Sequence, residues 1–177
     1  MSATLRTLNG TGFLWTCHHI VVNQYGTNGS PAADRSAVEW LNIQTSPTAT
    51  NVDGGRIYDA SASNPKSYFF PSLEVNRNGD MVIGFSGSSV NDYVGSFYWG
   101  RLHNGVSLSA PISYFAGKDW LTYDGPGGIV SCGDYSYTTL DPVDGLTLWT
   151  IQEYAETRTS GGTTYTWGTR ITAVKPY

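Results

Sequence analysis

Gly133-Asp134-Tyr135-Ser136-Tyr137-Thr138-Thr139-Leu140-Asp141-Pro142-Val143-Asp144-Gly145-Leu146-Thr147-Leu148-Trp149-Thr150 reads as strand, tight turn, strand. Tyr135, Tyr137 and Thr139 alternate along the first arm, Asp-Pro-x-Asp-Gly carries turn chemistry, and Leu146 to Trp149 opens a second β-rich arm. The same form recurs upstream. Ser67-Tyr68-Phe69-Phe70-Pro71-Ser72-Leu73-Glu74-Val75-Asn76 leads through Arg77-Asn78-Gly79-Asp80 into Met81 to Phe85. Phe97-Tyr98-Trp99-Gly100-Arg101 answers Thr166-Trp167-Gly168-Thr169-Arg170, and a fainter copy starts at Asn9-Gly10-Thr11-Gly12.

Copies about 65 residues apart suit β-propeller blades with enlarged loops. The first copy has a stub at Leu5–Leu8, then strands at 13–22, 36–43 and near 52–58. The second has strands at 68–76, 81–88, 96–102 and 108–115, and the third at 135–141, 146–154 and 165–174. The expected fold is therefore all-β. It is a partial β-propeller of about three four-stranded antiparallel blades, at roughly 1–58, 59–115 and 116–177, with the third lacking its outer strand. No window holds an apolar stripe at helical spacing over three turns.

Composition supports many short strands. The 177 residues include 21 glycines, 14% aromatics and only 14% charged residues. A net charge of −4 argues against binding a nucleic-acid backbone, and no apolar run approaches the roughly 20 residues of a membrane span. Met1 to Asn9 lacks the charged-then-apolar layout of a signal peptide, which leaves a cytosolic chain or a fragment without its own beginning. Cys17 and Cys132 could form one disulfide or stay as two half-buried thiols, and their spacing suggests no metal pair. No cofactor is expected.

Tyr-Phe-Phe-Pro-Ser-Leu-Glu-Val-Asn with Asn-Gly-Asp (68–80), Gly-Asp-Tyr-Ser (133–136), Asp-Pro-Val-Asp-Gly-Leu-Thr-Leu-Trp-Thr-Ile-Gln-Glu-Tyr-Ala (141–155) and Trp-Gly-Thr-Arg-Ile (167–171) resemble secreted bacterial sialidase-like β-propeller proteins of the Asp-box type. The resemblance runs from Leu14 to Val174. It implies an extracellular protein and the C-terminal half of a six-bladed ring, completed by a missing N-terminal half or by a second copy in a homodimer. A sialidase of this family needs three convergent arginines, a tyrosine–glutamate pair, an aspartate and an early Arg-Ile-Pro. This chain has no such tripeptide. Arg101 and Arg170 hold equivalent positions in two copies, which points to a repeated structural task. Val143-Asp144-Gly145-Leu146-Thr147 is loosely like the Asp-box turn, itself a structural element.

With the strands of a blade lettered A to D from the axis outward, the D–A and B–C loops of a propeller share one face, where ligands bind near the axis. That rule gathers Tyr68, Asp134 and Tyr135 at strand entrances with His18, His19, Glu153 and Tyr154 at strand exits. Asp134 and Glu153, with Tyr135, are the candidate catalytic groups, since two carboxylates at a suitable separation hydrolyse a glycosidic bond. In the competing reading Asp134 caps a strand and Glu153 pairs with an arginine. His18 and His19 are adjacent on a strand, so they face opposite sides and cannot chelate one metal together. His103 sits in an exposed turn. Trp15, Trp40, Trp99, Trp149 and Trp167 are expected to fill wedges between sheets. Tyr68, Tyr93, Tyr154 and Tyr165 lie near the ligand face, where rings could stack on sugars beside Ser88, Ser89 and Asn91.

Three functions fit these residues. One is a glycan- or surface-binding module without catalysis. The second is a sialidase-type glycoside hydrolase whose site needs missing blades or a partner chain. The third is a structural repeat domain with no ligand. A basic cluster around a carboxyl of raised pKa would favour the enzyme, and an aromatic shelf without convergent charge would favour the binder.

Overall fold

A computed structural model describes residues 2–121, 136–158 and 166–176, and in them the chain forms eleven strands and no helix. Three antiparallel sheets result, each a meander in chain order. Sheet 1 holds β1 (Ser2–Leu8), β2 (Thr11–Val22), β3 (Arg35–Gln44) and β4 (Thr50–Ile57). Sheet 2 holds β5 (Ser67–Val75), β6 (Met81–Ser89), β7 (Asp92–Arg101) and β8 (Ile112–Phe115). Sheet 3 holds β9 (Tyr137–Leu140), β10 (Leu148–Glu156) and β11 (Thr166–Val174). β1 is a full seven-residue strand where the sequence suggests a stub. β8 is shorter than expected, beginning just after Pro111, which has no N–H to give a ladder.

The β9–β10 turn owes its shape to acidic side chains. Asp144 accepts the N–H groups of Leu146 and Thr147, both at 2.8 Å, and the Thr147 hydroxyl at 2.7 Å. Those donors hold its carboxyl far below the ordinary carboxylate range. Gly145 takes the left-handed φ of +63° that the turn demands. Asp141 accepts Val143 N–H and the Trp149 indole N–H. The Asp-box-like residues are thus engaged in holding a hairpin.

Sheet 2 lies between the other two, and its two faces differ in chemistry. Toward sheet 1 the pleat of β6 presents Met81, Ile83 and Phe85, which pack with Leu73, Val75 and Tyr68 against Trp15, Cys17, Val38 and Trp40. Each such large apolar side chain contributes roughly 1.5–3 kcal/mol on full burial. Phe85 and Phe97 stack in parallel, and the Tyr68 ring meets Phe85 edge-on at 5.1 Å. Cys17 is a fully buried free thiol, its pKa pushed up to about 12 by burial. Its possible partner Cys132 lies outside the described residues.

A β-bulge makes that core possible. The β5–β6 register shifts between Phe69 and Ser72, where Phe70 adopts φ +53°, a conformation rare for a bulky residue. One extra residue reverses the side-chain parity, so Tyr68 and Leu73 face the same core although they are five apart.

Toward sheet 3 the surface of sheet 2 is small and polar. Ser72, Ser86 and Ser96 are buried there, and the Ser86 hydroxyl donates to the Glu153 carbonyl at 2.9 Å. Gln152, wholly buried, donates through Nε2 to Ser72 Oγ (3.1 Å) and Thr150 Oγ1 (3.0 Å) and accepts from Ser136 Oγ (2.7 Å). Thr138 bridges Ser72 and Thr150. Gly84 lets the sheets approach, since a Cβ there would overlap Thr150 Oγ1 and stand 2.6 Å from Gln152 Nε2.

The tryptophans divide accordingly. Trp15 and Trp40 are buried, and Trp99 packs against the same core. Trp149 and Trp167 instead sit on the outward face of sheet 3. The strand registers set Tyr137, Ile151 and Ile171 side by side on that face, with Tyr137 63% and Ile171 59% exposed. The outward face of sheet 1 likewise aligns Leu5, Leu14 and Ile43. Arg101 lies over the Trp40 ring of sheet 1 and Arg170 over the Phe115 ring of sheet 2. Each stacks on the sheet before its own, which is the repeated structural task their equivalent positions imply.

Candidate functional site

The hairpin β6–β7 and the segment after β8 meet at one end of sheet 2. β7 opens with Asp92 and Tyr93, and beyond Phe115 the chain runs Ala116-Gly117-Lys118-Asp119-Trp120 across the hairpin. Gly117 passes so close that a Cβ there would stand 2.6 Å from the Tyr93 Cβ. The Lys118 N–H donates to the Ala155 carbonyl at 2.8 Å, tying this strap to β10.

Trp120 emerges from the strap 51% exposed, its ring meeting the Tyr93 ring edge-on at 4.9 Å and 80°. Below Tyr93 a cleft of about 250 Å³ is lined by Lys66, Asn91, Asp92, Phe97 and Ser113. Lys66 forms an ion pair with Asp92, which also accepts the Ser89 hydroxyl at 2.6 Å. The result is a half-exposed indole, propped edge-on by a tyrosine ring, beside a polar recess.

Two ion pairs brace the strap. Asp119 accepts from the Arg158 guanidinium at 3.2 and 3.3 Å and from the Arg158 and Trp120 backbone N–H groups. The guanidinium first, then those N–H groups, bring its pKa down to about 2. Glu156 accepts Lys118 Nζ at 2.8 Å, the Tyr154 hydroxyl at 2.6 Å and the Thr157 N–H at 2.7 Å. Led by Lys118, these donors bring its pKa to about 2 as well, while the Glu156 anion raises that of Tyr154. Both carboxyls are ionised and surrounded by donors at neutral pH, so neither is poised as a general acid.

The residues singled out in the sequence scatter over this end of the molecule. Tyr93 stands at the shelf. Tyr68 is buried, and its hydroxyl pKa is pushed up to about 12 by burial, with Asp59 and Asp92 adding to the effect. Tyr154 is buried against Phe115 at 4.4 Å, its hydroxyl committed to Glu156. Glu153 is only 2% exposed on β10. His18 faces outward, with Nε2 3.3 Å from Glu39, which also holds Arg56. His19, on the opposite face, meets the Phe70 ring edge-on. Asp134, Tyr135 and Tyr165 lie outside the described residues. Among the described residues no group of three histidine, cysteine or acidic side chains could hold a metal ion.

Trp120 escaped the sequence reading because it belongs to no strand. The signal was there: an indole in Gly117-Lys118-Asp119-Trp120, flanked by charge and glycine, has no core face to fill.

No family model, no curated protein and no solved structure matches the chain.

Proposed function

We propose that this chain is a non-catalytic glycan-recognition module, the partial ring of a sialidase-like β-propeller acting outside the cell. The single observation that carries the reading is the Trp120–Tyr93 shelf, an indole half open to solvent and braced by its own ion pairs. Rigid aromatic faces beside hydroxyl, amide and charged groups suit sugar rings, whose C–H faces stack while their hydroxyls find partners. Asn91, Lys66 and Ser113 line the adjoining recess. The carboxyls beside the shelf have lowered pKa values, the reverse of what a glycosidase acid requires.

The blade reading draws support from three four- or three-stranded meanders following one another in chain order, with sheet 2 packed on both faces. In that reading the outward faces of sheets 1 and 3 are covered by a second copy or by further blades of a ring.

A glycan array probed with the chain and with Trp120→Ala tests the proposal. Stacking on one aromatic ring is worth about 0.5–1.5 kcal/mol beyond area burial, so the variant is expected to bind its best glycans about two- to twelvefold more weakly. Tyr93→Ala, which removes the ring's support, is expected to act in the same direction. Glycan binding that survives both substitutions unchanged, or no glycan binding at all by the parent chain, would sink the reading.

A further inference from the structure

The opposite end of the molecule, where the β1–β2 and β5–β6 turns and the β7–β8 loop gather, holds a second concavity. The chain has ten lysines and arginines. Eight of them reach a carboxylate: Arg6, Arg35, Arg56, Lys66, Arg101, Lys118, Arg158 and Lys175. Arg170 stacks on Phe115. Among the described residues Arg77 alone has neither partner, in a chain whose net charge is −4. Its side chain lies along Gly145, at the edge of a cleft of about 780 Å³. No acidic side chain lines that cleft, and its walls include Thr7, Asn9, Phe13, Asn78 and His103.

His103 is held in place. Its backbone N–H and its Nδ1 both lie 2.9 Å from Oδ1 of Asp80, whose other oxygen accepts from Asn76 at 3.0 Å. With Nδ1–H donated to Asp80, Nε2 remains as an acceptor for a ligand hydroxyl.

We infer that this cleft is a binding site for a small hydroxycarboxylate, its carboxylate forked by the Arg77 guanidinium and a hydroxyl accepted by His103 Nε2. A guanidinium matches the two oxygens of a carboxylate. Phosphate fits less well, because such sites draw on clustered backbone N–H groups. Here the N–H groups of residues 76–80 are all bonded within the turns, to Asp80 O, Gly145 O, Asn76 Oδ1 and Asn76 O. The site is independent of the Trp120 shelf.

Titration of the 15N-labelled chain with gluconate tests it, with acetate, sorbitol and inorganic phosphate as comparisons. Gluconate is expected to shift the amide signals of Asn78, Gly79 and His103 saturably, acetate more weakly, and sorbitol not at all. Arg77→Gln is expected to weaken gluconate binding by about tenfold or more, and Arg77→Lys, which keeps the charge and loses the fork, by less. Added salt should weaken it further. The inference is overturned if gluconate leaves these signals unmoved, if Arg77→Gln binds as well as the parent, or if phosphate binds more tightly than gluconate. Arg77 is exposed, so an unchanged thermal midpoint in the variants separates lost binding from lost folding.

Discussion

Gln152 and Gly84 decide how closely two sheets approach. The Gln152 amide is buried and satisfied by Ser72, Thr150 and Ser136. In Gln152→Leu the volume is nearly kept, but Ser72, Thr150 and Ser136 each lose one buried partner while keeping another. Each lost hydrogen bond costs about 0.5–1.5 kcal/mol net, and urea unfolding is expected to show a loss of at least that size. Gly84→Ala pushes a methyl into Thr150 Oγ1 and Gln152. Overpacking of this kind costs about 1–3 kcal/mol. A neutral outcome for both would mean that sheets 2 and 3 are not in contact as described.

At the scale of the element, the strap 116–120 is held by Lys118–Glu156 and Asp119–Arg158. The folded pKa of Asp119 and Glu156, about 2 for each, lies below the ordinary values of 3.8 and 4.5. A depressed carboxyl pKa contributes stability above the unfolded value and loses it as pH falls through the folded one. The strap is therefore expected to stay docked from about pH 4.5 up to the alkaline range where Lys118 loses its proton, and to release progressively toward pH 2. The indole N–H signal of Trp120 reports this directly: it should hold its shift down to about pH 4.5 and move below it. Movement between pH 7 and 5 would show that other groups hold the strap.

The elements themselves were legible because strand signals are local. The Asp-Gly turn at 144–145 and the alternation of Tyr137 with Thr139 need no knowledge of distant residues. The bulge at Phe70 was not, because parity along β5 is set by its pairing to Ser86 on one side of the bulge and to Gly84 on the other, on another strand. The site was half legible for the same reason. Tyr93 stands beside a turn that the sequence marks, whereas Trp120 becomes a shelf only where the strap crosses β7.

For the whole molecule, the outward faces of sheets 1 and 3 are where a second copy would dock. Sheet-on-sheet contacts bury alternate side chains of both partners, and Tyr137, Trp149, Ile171 and Leu5 all remain substantially exposed. If a second copy covers them, light scattering is expected to give a mass near twice 19.2 kDa. Ile171→Glu, which sets a charge in the middle of the row, is expected to return the chain to a folded monomer. A folded, monodisperse monomer from the parent chain would dismiss the homodimer.

The sequence by itself determined the all-β character, the order of the strands and the hairpin turns, because each depends on residues within a few positions of one another. It also determined that His18 and His19 part to opposite faces, a consequence of the pleat alone. Only the tertiary structure decided which faces meet, and so made one interface of sheet 2 aromatic and the other a hydroxyl–amide network. It also decided which charges are neutralised, leaving Arg77 facing a cleft while Asp119 and Glu156 are spoken for. Contacts of this kind join residues tens of positions apart, and their partners follow from packing and not from spacing along the chain.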